Sequence, residues 1–514
     1  MRLKVRLLNI QAGGRNIAIL GDEVASALGV HSSDRVNVSF GGKSVAAIVN
    51  ISSKFPSTHV GLYEEVSAKL GTTNGEEIEV LPAELPESLH LVQAKIRRER
   101  LHESEIRLIV RDVVERHLSD VELAAFVTAL QIYGMNMDEV EALSRAMVET
   151  GRSLELDRKP ILDKHSIGGV PGDKTSILVV PIVAAAGFTI PKTSSRAVTS
   201  PAGTADRVES LCPVNLTIEE IKEVVRKTNA CLVWGGALDL APADDIFIQV
   251  EYPLAIDPML LPSIMSKKKA MGVTHVVVDI PTGRGTKTET LDNATELAYD
   301  FVDLGRRLDI SVQCGITFGE QPLGLAIGPA LEAREALSTL MGNGPSDLVE
   351  KALSLAGILL EMVGVDDGKQ RAEAILRSGK AEGKIREIVE AQGGNPSVKP
   401  EDIKVGDKTA SVMAEADGRI LWINNEAVAR VARAAGAPKD KGAGVLFKAK
   451  LGDHVEKDGV LFEVFAERDA KLESALELSA KLKPVSLSVK PGDRMLLGRV
   501  PAGVVRPWDF VFGR

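Results

Sequence analysis

Cysteine is scarce in this chain of 514 residues: Cys212, Cys231 and Cys314 stand far apart and form no C-x-x-C pair. Such spacing offers neither a disulfide framework nor a structural zinc site, and it predicts a reducing compartment. Long apolar runs are missing too. The most apolar stretch, ILVVPIVAAAGFTI (177–190), is too short to span a bilayer and runs into PKTSSR. The opening MRLKVRLLNI alternates charged and apolar side chains, a strand pattern rather than the apolar block of a signal peptide. Together these absences predict a soluble cytoplasmic protein with no membrane partner. Positive charge is not in excess either: 62 Lys and Arg face 71 Asp and Glu, a net charge of −9, which argues against a nucleic-acid partner.

A nucleotide-binding P-loop is lacking as well, although the run KHSIGGVPGDKTS (164–176) comes close to one. Gly168 and Gly172 are separated by three residues where the P-loop has four, and Asp173 intrudes between Gly172 and Lys174. The P-loop lysine must follow the last glycine directly to reach the β/γ-phosphates, and an inserted carboxylate opposes phosphate at short range. The run still holds the lysine, hydroxyls and glycines of a phosphate cradle.

The length implies about two to four domains. Residues 1–84 contain an internal repeat, in which LGDEVASALGVHSSDRVNV (20–38) aligns without gaps on LYEEVSAKLGTTNGEEIEV (62–80). Each copy reads as a short helix, a glycine at its C-terminal end and an alternating strand. Two copies predict a small pseudo-symmetric barrel, similar to double-psi β-barrels; a packing or assembly module is a simpler reading than DNA binding. Residues 91–158 read as a helical domain, in which a capping box at Ser119-Asp-Val-Glu122 opens the apolar-periodic run ELAAFVTAL, and which a later helical segment, 251–273, joins. Residues 159–400 have the texture of an α/β domain. Residues 401–514 read as a β-rich domain; AKLGDHVEKDGVLFEVFAE (449–467) hints at a lipoyl-like barrel but has no attachment lysine of the E-x-M-K-M type. The fold class expected is therefore multidomain α+β.

Three loops follow β-prone runs in the α/β part: KHSIGGVPGDKTS, TSSRAVTSPAGTAD (193–206) and DIPTGRGTK (279–287). Loops after strands of such folds bind ligands because helix N-termini nearby present free N–H groups. Two hydroxyl-rich loops and a basic third point to a phosphate-bearing ligand. His165 reads as a wall of such a site rather than a base, since nothing of triad type accompanies it. Asp257, in EYPLAIDPMLLPSIMSKKKAMG (251–272), is either a partly buried general acid or a cap of the following helix with Pro258 in its first turn; local sequence favours the cap. Lys267, Lys268 and Lys269 read as a solvated helix face.

KHSIGGVPGDKTS, TSSRAVTSPAGTAD, LAPADDIFIQVEYPLAIDP (240–258) and SIMSKKKAMG (263–272) together resemble the thymidine/pyrimidine nucleoside phosphorylase superfamily, in its archaeal-type branch of nucleoside monophosphate phosphorylases. The resemblance spans essentially the whole chain. It implies a helical and an α/β domain with the active site in the cleft between them, and no metal or cofactor. Implied phosphate ligands are Lys164, Ser166, Ser176 and Thr204. Implied nucleotide contacts are Gly169, Ser195, Arg196, Ala197, Val198, Thr199, Ser200, Thr204, Lys287 and Ser263, with Ser266 as the alternative to the last. Asp257 becomes the proton donor to the leaving base. Ordinary thymidine phosphorylases carry R-G-x-G-H-T-G-G-T where this chain has Arg196 to Thr204, and D-V-K-V-G-S-G where it has Asp279 to Lys287. Both changes suit a ligand with a second phosphate. The implied substrates are AMP, with CMP and UMP as further candidates, and inorganic phosphate. The implied assembly is a homodimer or larger homo-oligomer. The competing readings are a nucleoside phosphorylase, a Mg²⁺-dependent phosphoribosyltransferase of the anthranilate type, and a DNA-binding regulator.

Overall fold

The computed structural model describes residues 1–197 and 200–488. The N-terminal part contains β1 (Arg2–Leu7), β2 (Ile17–Leu20), α1 (Asp22–Leu28), β3 (Arg35–Phe40), β4 (Lys43–Ile51), β5 (His59–Leu62), α2 (Glu64–Leu70) and β6 (Glu77–Pro82). Its strands close into a barrel in the order β1-β5-β2-β4-β3-β6. The pairs β1–β5 and β2–β4 are parallel and the other four antiparallel. Exchanging β1 with β4, β2 with β5 and β3 with β6 leaves this pairing unchanged, so the internal repeat is a structural pseudo-twofold. Its matched positions are the barrel core: Leu20 and Leu62, Val24 and Val66, Val36 and Ile78, Val38 and Val80 are all buried. Each helix stops on a left-handed residue, Gly29 (φ 68°) or Gly71 (φ 71°), a conformation that costs glycine little.

Four helices follow: α3 (Ser88–Ile96), α4 (Glu103–Val114), α5 (Asp120–Tyr133) and α6 (Met137–Glu149). The capping box at Ser119 and Glu122 opens α5, and a second one at Asn136 and Glu139 opens α6. Glu139 also takes the buried Lys95 ammonium at 2.7 Å.

The next region contains β7 (Leu162–Ser166), α7 (Thr175–Ala185), β8 (Ile190–Ser194), α8 (Thr204–Val208), α9 (Ile218–Thr228), β9 (Ala230–Trp234), α10 (Pro242–Leu254), α11 (Leu260–Ala270), β10 (His275–Thr282), α12 (Leu291–Arg307) and β11 (Ser311–Phe318). β7 and β11 flank β10, β8 pairs with β9, and a bridge between Ile161 and Thr189 joins the two sets; all of these pairings are parallel. Successive side chains of a strand face opposite ways, and both faces here are covered by helices. Ala230 and Leu232 accordingly enter one core with α7, whereas Cys231 and Val233 enter the other with α9 and α12. The apolar run at 177–190 is thus the fully buried α7 followed by the start of β8. Helix α10 packs back on the four-helix cluster, where Phe247 meets Phe126 with ring centroids 6.2 Å apart.

A short strand β12 (Ala326–Ile327) precedes α13 (Pro329–Leu340), α14 (Ser346–Met362), α15 (Gly368–Arg377) and α16 (Lys380–Ala391). The C-terminal part contains β13 (Lys408–Met413), β14 (Gly418–Ile423), α17 (Asn425–Ala434), β15 (Gly444–Phe447), β16 (His454–Val455), β17 (Val460–Ala466), α18 (Asp469–Leu482) and β18 (Val485–Leu487). β12 joins the C-terminal sheet in the order β12-β15-β17-β13, so the central region lends a strand to its neighbour. Among the described residues, no helix is long and apolar enough to cross a membrane.

Barrel and helices meet at Arg35, which donates to His117 O at 3.0 Å and pairs with Glu122 of the α5 capping box. Only 8% of the Arg35 side chain is exposed. Breaking a buried pair from one side typically costs about 3–5 kcal/mol. Arg35→Met should therefore lower the first calorimetric transition, and an unchanged thermogram would show that the pair contributes nothing to docking.

Candidate active site

The three loops leave the same ends of neighbouring parallel strands: the first follows β7, the second β8 and the third β10. The first leads into α7, whose first turn carries the buried Ser176. Lys164, in the middle of β7, is almost fully buried, with Nζ 3.4 Å from Asp173 and 3.6 Å from Asp279. Burial alone would push the Asp173 carboxyl up, but Lys164 and Lys351 outweigh it and hold it well below the usual range. Ser166 Oγ accepts from Gly168 N at 3.4 Å. Lys174, the residue nearest to a P-loop lysine, faces away from any phosphate. Its ammonium is buried on Glu335 and donates to Leu323 O (3.0 Å) and Ala326 O (3.1 Å), so it braces the loop.

Beneath the loops lies an ionic cluster that sequence reading did not foresee. Asp163, fully buried, takes Lys268 at 2.5 Å and Lys192 at 3.4 Å. Asp279, also fully buried, takes Lys351 at 2.8 Å and accepts from Thr317 at 2.6 Å. Burial lowers Lys192 to about 7 despite the opposing pull of Asp163. Burial, with the charges of Lys268, Lys192, Lys164 and Lys267, also holds the His165 imidazole well below its usual range. His165 is thus a neutral neighbour of the lysines.

The expectation of a solvated face at Lys267 to Lys269 is overturned. Lys268 is 2% exposed and paired with Asp163, Lys267 pairs with the buried Asp244, and Lys269 donates to Leu308 O at 2.7 Å. The charge run sits on a helix held between two domains, so each ammonium has a partner facing it.

In the second loop Ser195 is exposed, and its carbonyl accepts from Ala205 N at 3.3 Å. The Arg196 guanidinium is taken by Glu209 at 2.7 and 2.8 Å and by Asp206 at 3.3 Å, and lies 5.0 Å from the Trp234 ring centroid. Ala197 N and Gly203 N both donate to Asp206, at 2.7 and 2.9 Å, and Ser200 Oγ donates to Ala202 O at 3.2 Å. Thr204 opens α8, with Oγ1 3.3 Å from Arg207. Val198 and Thr199 lie outside the described residues.

The third loop meets the first: a Cβ on Gly169, which has φ +93°, would lie 3.1 Å from Lys287 N. It also meets the segment after α10, where Lys287 Nζ pairs with Asp257. Of the two local expectations for Asp257, the cap fails: α11 starts at Leu260 with Met259 as its N-cap, so Asp257 caps nothing, and its side chain is 43% exposed. Ser263 is half-buried in the first turn of α11, while Ser266 is fully buried and donates to Ser263 O at 3.3 Å. Of the two serines, Ser263 is the one a ligand can reach. Behind Asp257 stands Glu251, almost fully buried, pushed up to about 8 by burial and by the charges of Asp257 and Asp244.

Comparison with known proteins places this geometry. Residues 89–151 match the glycosyl transferase family helical bundle domain, 158–382 its a/b domain, and 420–484 the pyrimidine nucleoside phosphorylase C-terminal domain. The chain is 53% identical over 500 residues to the AMP phosphorylase of Thermofilum pendens, covering 97% of this chain and 98% of that one. It is 51% identical to the AMP phosphorylase of Thermococcus kodakarensis (95% and 98% covered) and 46% to that of Methanosarcina barkeri (98% and 99%). The chain belongs to the AMP phosphorylase family. A solved anthranilate phosphoribosyltransferase from Thermus thermophilus superposes with a TM-score of 0.50 at 22% identity, covering 59% of this chain and 98% of that one, and shows the shared fold alone.

Glu251 generates a test. Its folded pKa of about 8 lies above the ordinary 4.5, so its contribution to stability is fully present below pH 4.5 and is lost as pH rises through 8. Glu251→Gln removes that loss. Its melting temperature relative to the unmodified chain should climb between pH 4.5 and 8; a difference independent of pH would contradict the assignment.

Proposed function

We infer that the chain catalyses reversible phosphorolysis of AMP: AMP and inorganic phosphate give adenine and ribose 1,5-bisphosphate. The observation that carries this reading is the meeting of Lys287 with Asp257 beside Gly169, in a chain half-identical to AMP phosphorylases over nearly its whole length. The cleft between the helical and α/β domains is the reaction chamber. Lys164, Ser166, Ser176 and Thr204 hold the attacking phosphate at the loops before α7 and α8. Lys287, Gly169, Ser263 and the backbone and hydroxyls of 195–200 hold the nucleotide.

A phosphate oxygen attacks the sugar carbon as the bond to the base breaks, and the bonding electrons leave with the base. Asp257 delivers a proton to the purine, at N7. In the ligand-free arrangement Asp257 is occupied by Lys287. A 5′-phosphate that draws Lys287 to itself leaves the carboxyl free to turn to the base, which favours nucleotides over nucleosides. General acid catalysis of this type is worth about 10²–10⁴-fold in rate, and positioning by cleft closure adds to it. The sugar-phosphate contacts serve CMP and UMP equally, so base preference rests on the far end of the cleft. The N-terminal barrel, of double-psi type by its two swapped parallel pairs, acts in assembly into homodimers or larger oligomers, and the enzyme works in the cytoplasm without nucleic acid.

Phosphate-dependent base release from AMP, CMP, UMP, adenosine and thymidine tests the reading. AMP should be turned over well and adenosine and thymidine poorly; a preference for thymidine would establish the nucleoside phosphorylase instead. Asp257→Asn should cut AMP turnover by about 10²–10⁴-fold with phosphate affinity retained, and near-normal turnover would remove Asp257 from the proton-donor role. Lys287→Ala should hurt AMP far more than adenosine. Equal losses on both would mean that Lys287 does not read the 5′-phosphate.

A further inference from the structure

The C-terminal domain, unused in the scheme above, touches the site loops from behind at three places. Lys450 donates to Gly324 O at 2.7 Å and lies 3.1 Å from Asp347, which holds the segment packed against Gly172 of the first loop. Lys441 reaches Glu209 at 2.6 Å, the same carboxylate that takes Arg196 of the second loop.

The contact with the third loop is the most direct. Trp422 of β14 lies against Arg284, with the guanidinium carbon 5.2 Å from the ring centroid. Arg284 is three residues before Lys287 on the same loop and also reaches Glu320 at 2.9 Å. Asn425, at the start of α17, donates to Gly319 O at 2.7 Å, and Gly319 N in turn donates to Thr282 O at 2.8 Å. A Cβ on Gly319 would meet Thr286 at 2.8 Å, and one on Gly283 would meet Glu320 at 2.5 Å. The loop 282–287 and the turn at 319–320 are therefore interlocked, and the C-terminal domain grips both.

We propose that Trp422 is a specificity-determining positioning residue: by holding Arg284 it sets the loop on which Lys287 meets the 5′-phosphate, and so fixes the preference for nucleotide over nucleoside. The inference rests on the reading of Lys287 given above. The hold is made by the ring face. Trp422 Nε1 is buried and has no acceptor among the described residues. A cation is attracted by any aromatic face and gains nothing comparable from an aliphatic one.

Steady-state kinetics on the full chain test it, with Trp422→Leu, Trp422→Phe and Arg284→Met assayed on AMP, adenosine and phosphate. Trp422→Leu and Arg284→Met should raise KM for AMP by about three- to tenfold, with kcat/KM for adenosine and KM for phosphate unmoved. Trp422→Phe should stay close to the parent. Equal losses on AMP and adenosine, an unmoved KM for AMP, or Trp422→Phe behaving as Trp422→Leu would overturn the role. If Trp422→Leu does not fold, Arg284→Met decides, since that side chain is 55% exposed. A parent chain that releases base from adenosine but not from AMP overturns the nucleotide reading itself. A parent that prefers AMP with unmoved variants overturns only Trp422.

Discussion

The arrangement of the site depends on a carboxylate that is fully buried. Asp163 on β7 takes one lysine from β8 and another from α11, which ties the first loop, the second loop and the helix after Asp257 to one point. Removing one partner of such a cluster leaves an uncompensated charge in a medium that solvates it poorly, so none of the three elements can move without the others. Asp279 repeats the device for Lys164 and Lys351. The lysines of β7, β8 and α11 are thus held in place by fixed carboxylates, so a chain of net charge −9 still presents a local, preorganised cluster of cations.

The same logic separates the first loop from the P-loop it resembles in outline. In a P-loop the lysine after the last glycine reaches the phosphates. Here the extra Asp173 shifts Lys174 inward, where it fastens the loop to the carbonyls of Leu323 and Ala326. A Cβ on Gly172 would lie 2.5 Å from Leu323 O, so the glycine permits that close approach at φ +83°. The lysine left beside the loop's Asp173 is then Lys164, in the middle of β7. The segment at 322–326 is in turn held by Lys450 and by the pairing of β12 with β15. A chain of short-range contacts thus runs from the C-terminal domain to the first loop.

What could be read from the sequence follows from which forces are local. The barrel repeat was legible because each copy carries its own helix, glycine stop and alternating strand, and the matched positions are the core. Capping boxes and the three post-strand loops were legible for the same reason. The lysines were not. On a helix, the run Lys267 to Lys269 looks like a solvated face unless one knows that β7 and α10 supply Asp163 and Asp244 against it. Lys192 in FTIPKTSS stands alone among apolar or neutral neighbours and Lys351 in SDLVEKALSL follows a glutamate, as on any helix surface, so only their burial in a polar cluster reveals a role. A charged residue between two buried positions of a strand is the signal that could have found Lys192. Asp257 failed in the opposite way: the Asp-Pro pair suggested a cap, but the chain makes a turn through Pro258 and Met259 before α11 begins.

The electrostatics of the cluster also bear on how it can work in both directions. Lys192 is lowered to about 7 by burial and by the neighbouring lysines, while Asp163 opposes that shift. An anion placed among Lys164, Lys192 and Lys268 favours the charged form of Lys192, so its arrival draws a proton into the cluster and its departure releases one. His165 cannot buffer this exchange, because burial and the surrounding lysines keep its imidazole neutral. A proton entering that cluster is therefore taken by a lysine, whereas behind Asp257 it is Glu251, pushed up to about 8 by burial and by the charges of Asp257 and Asp244, that holds one.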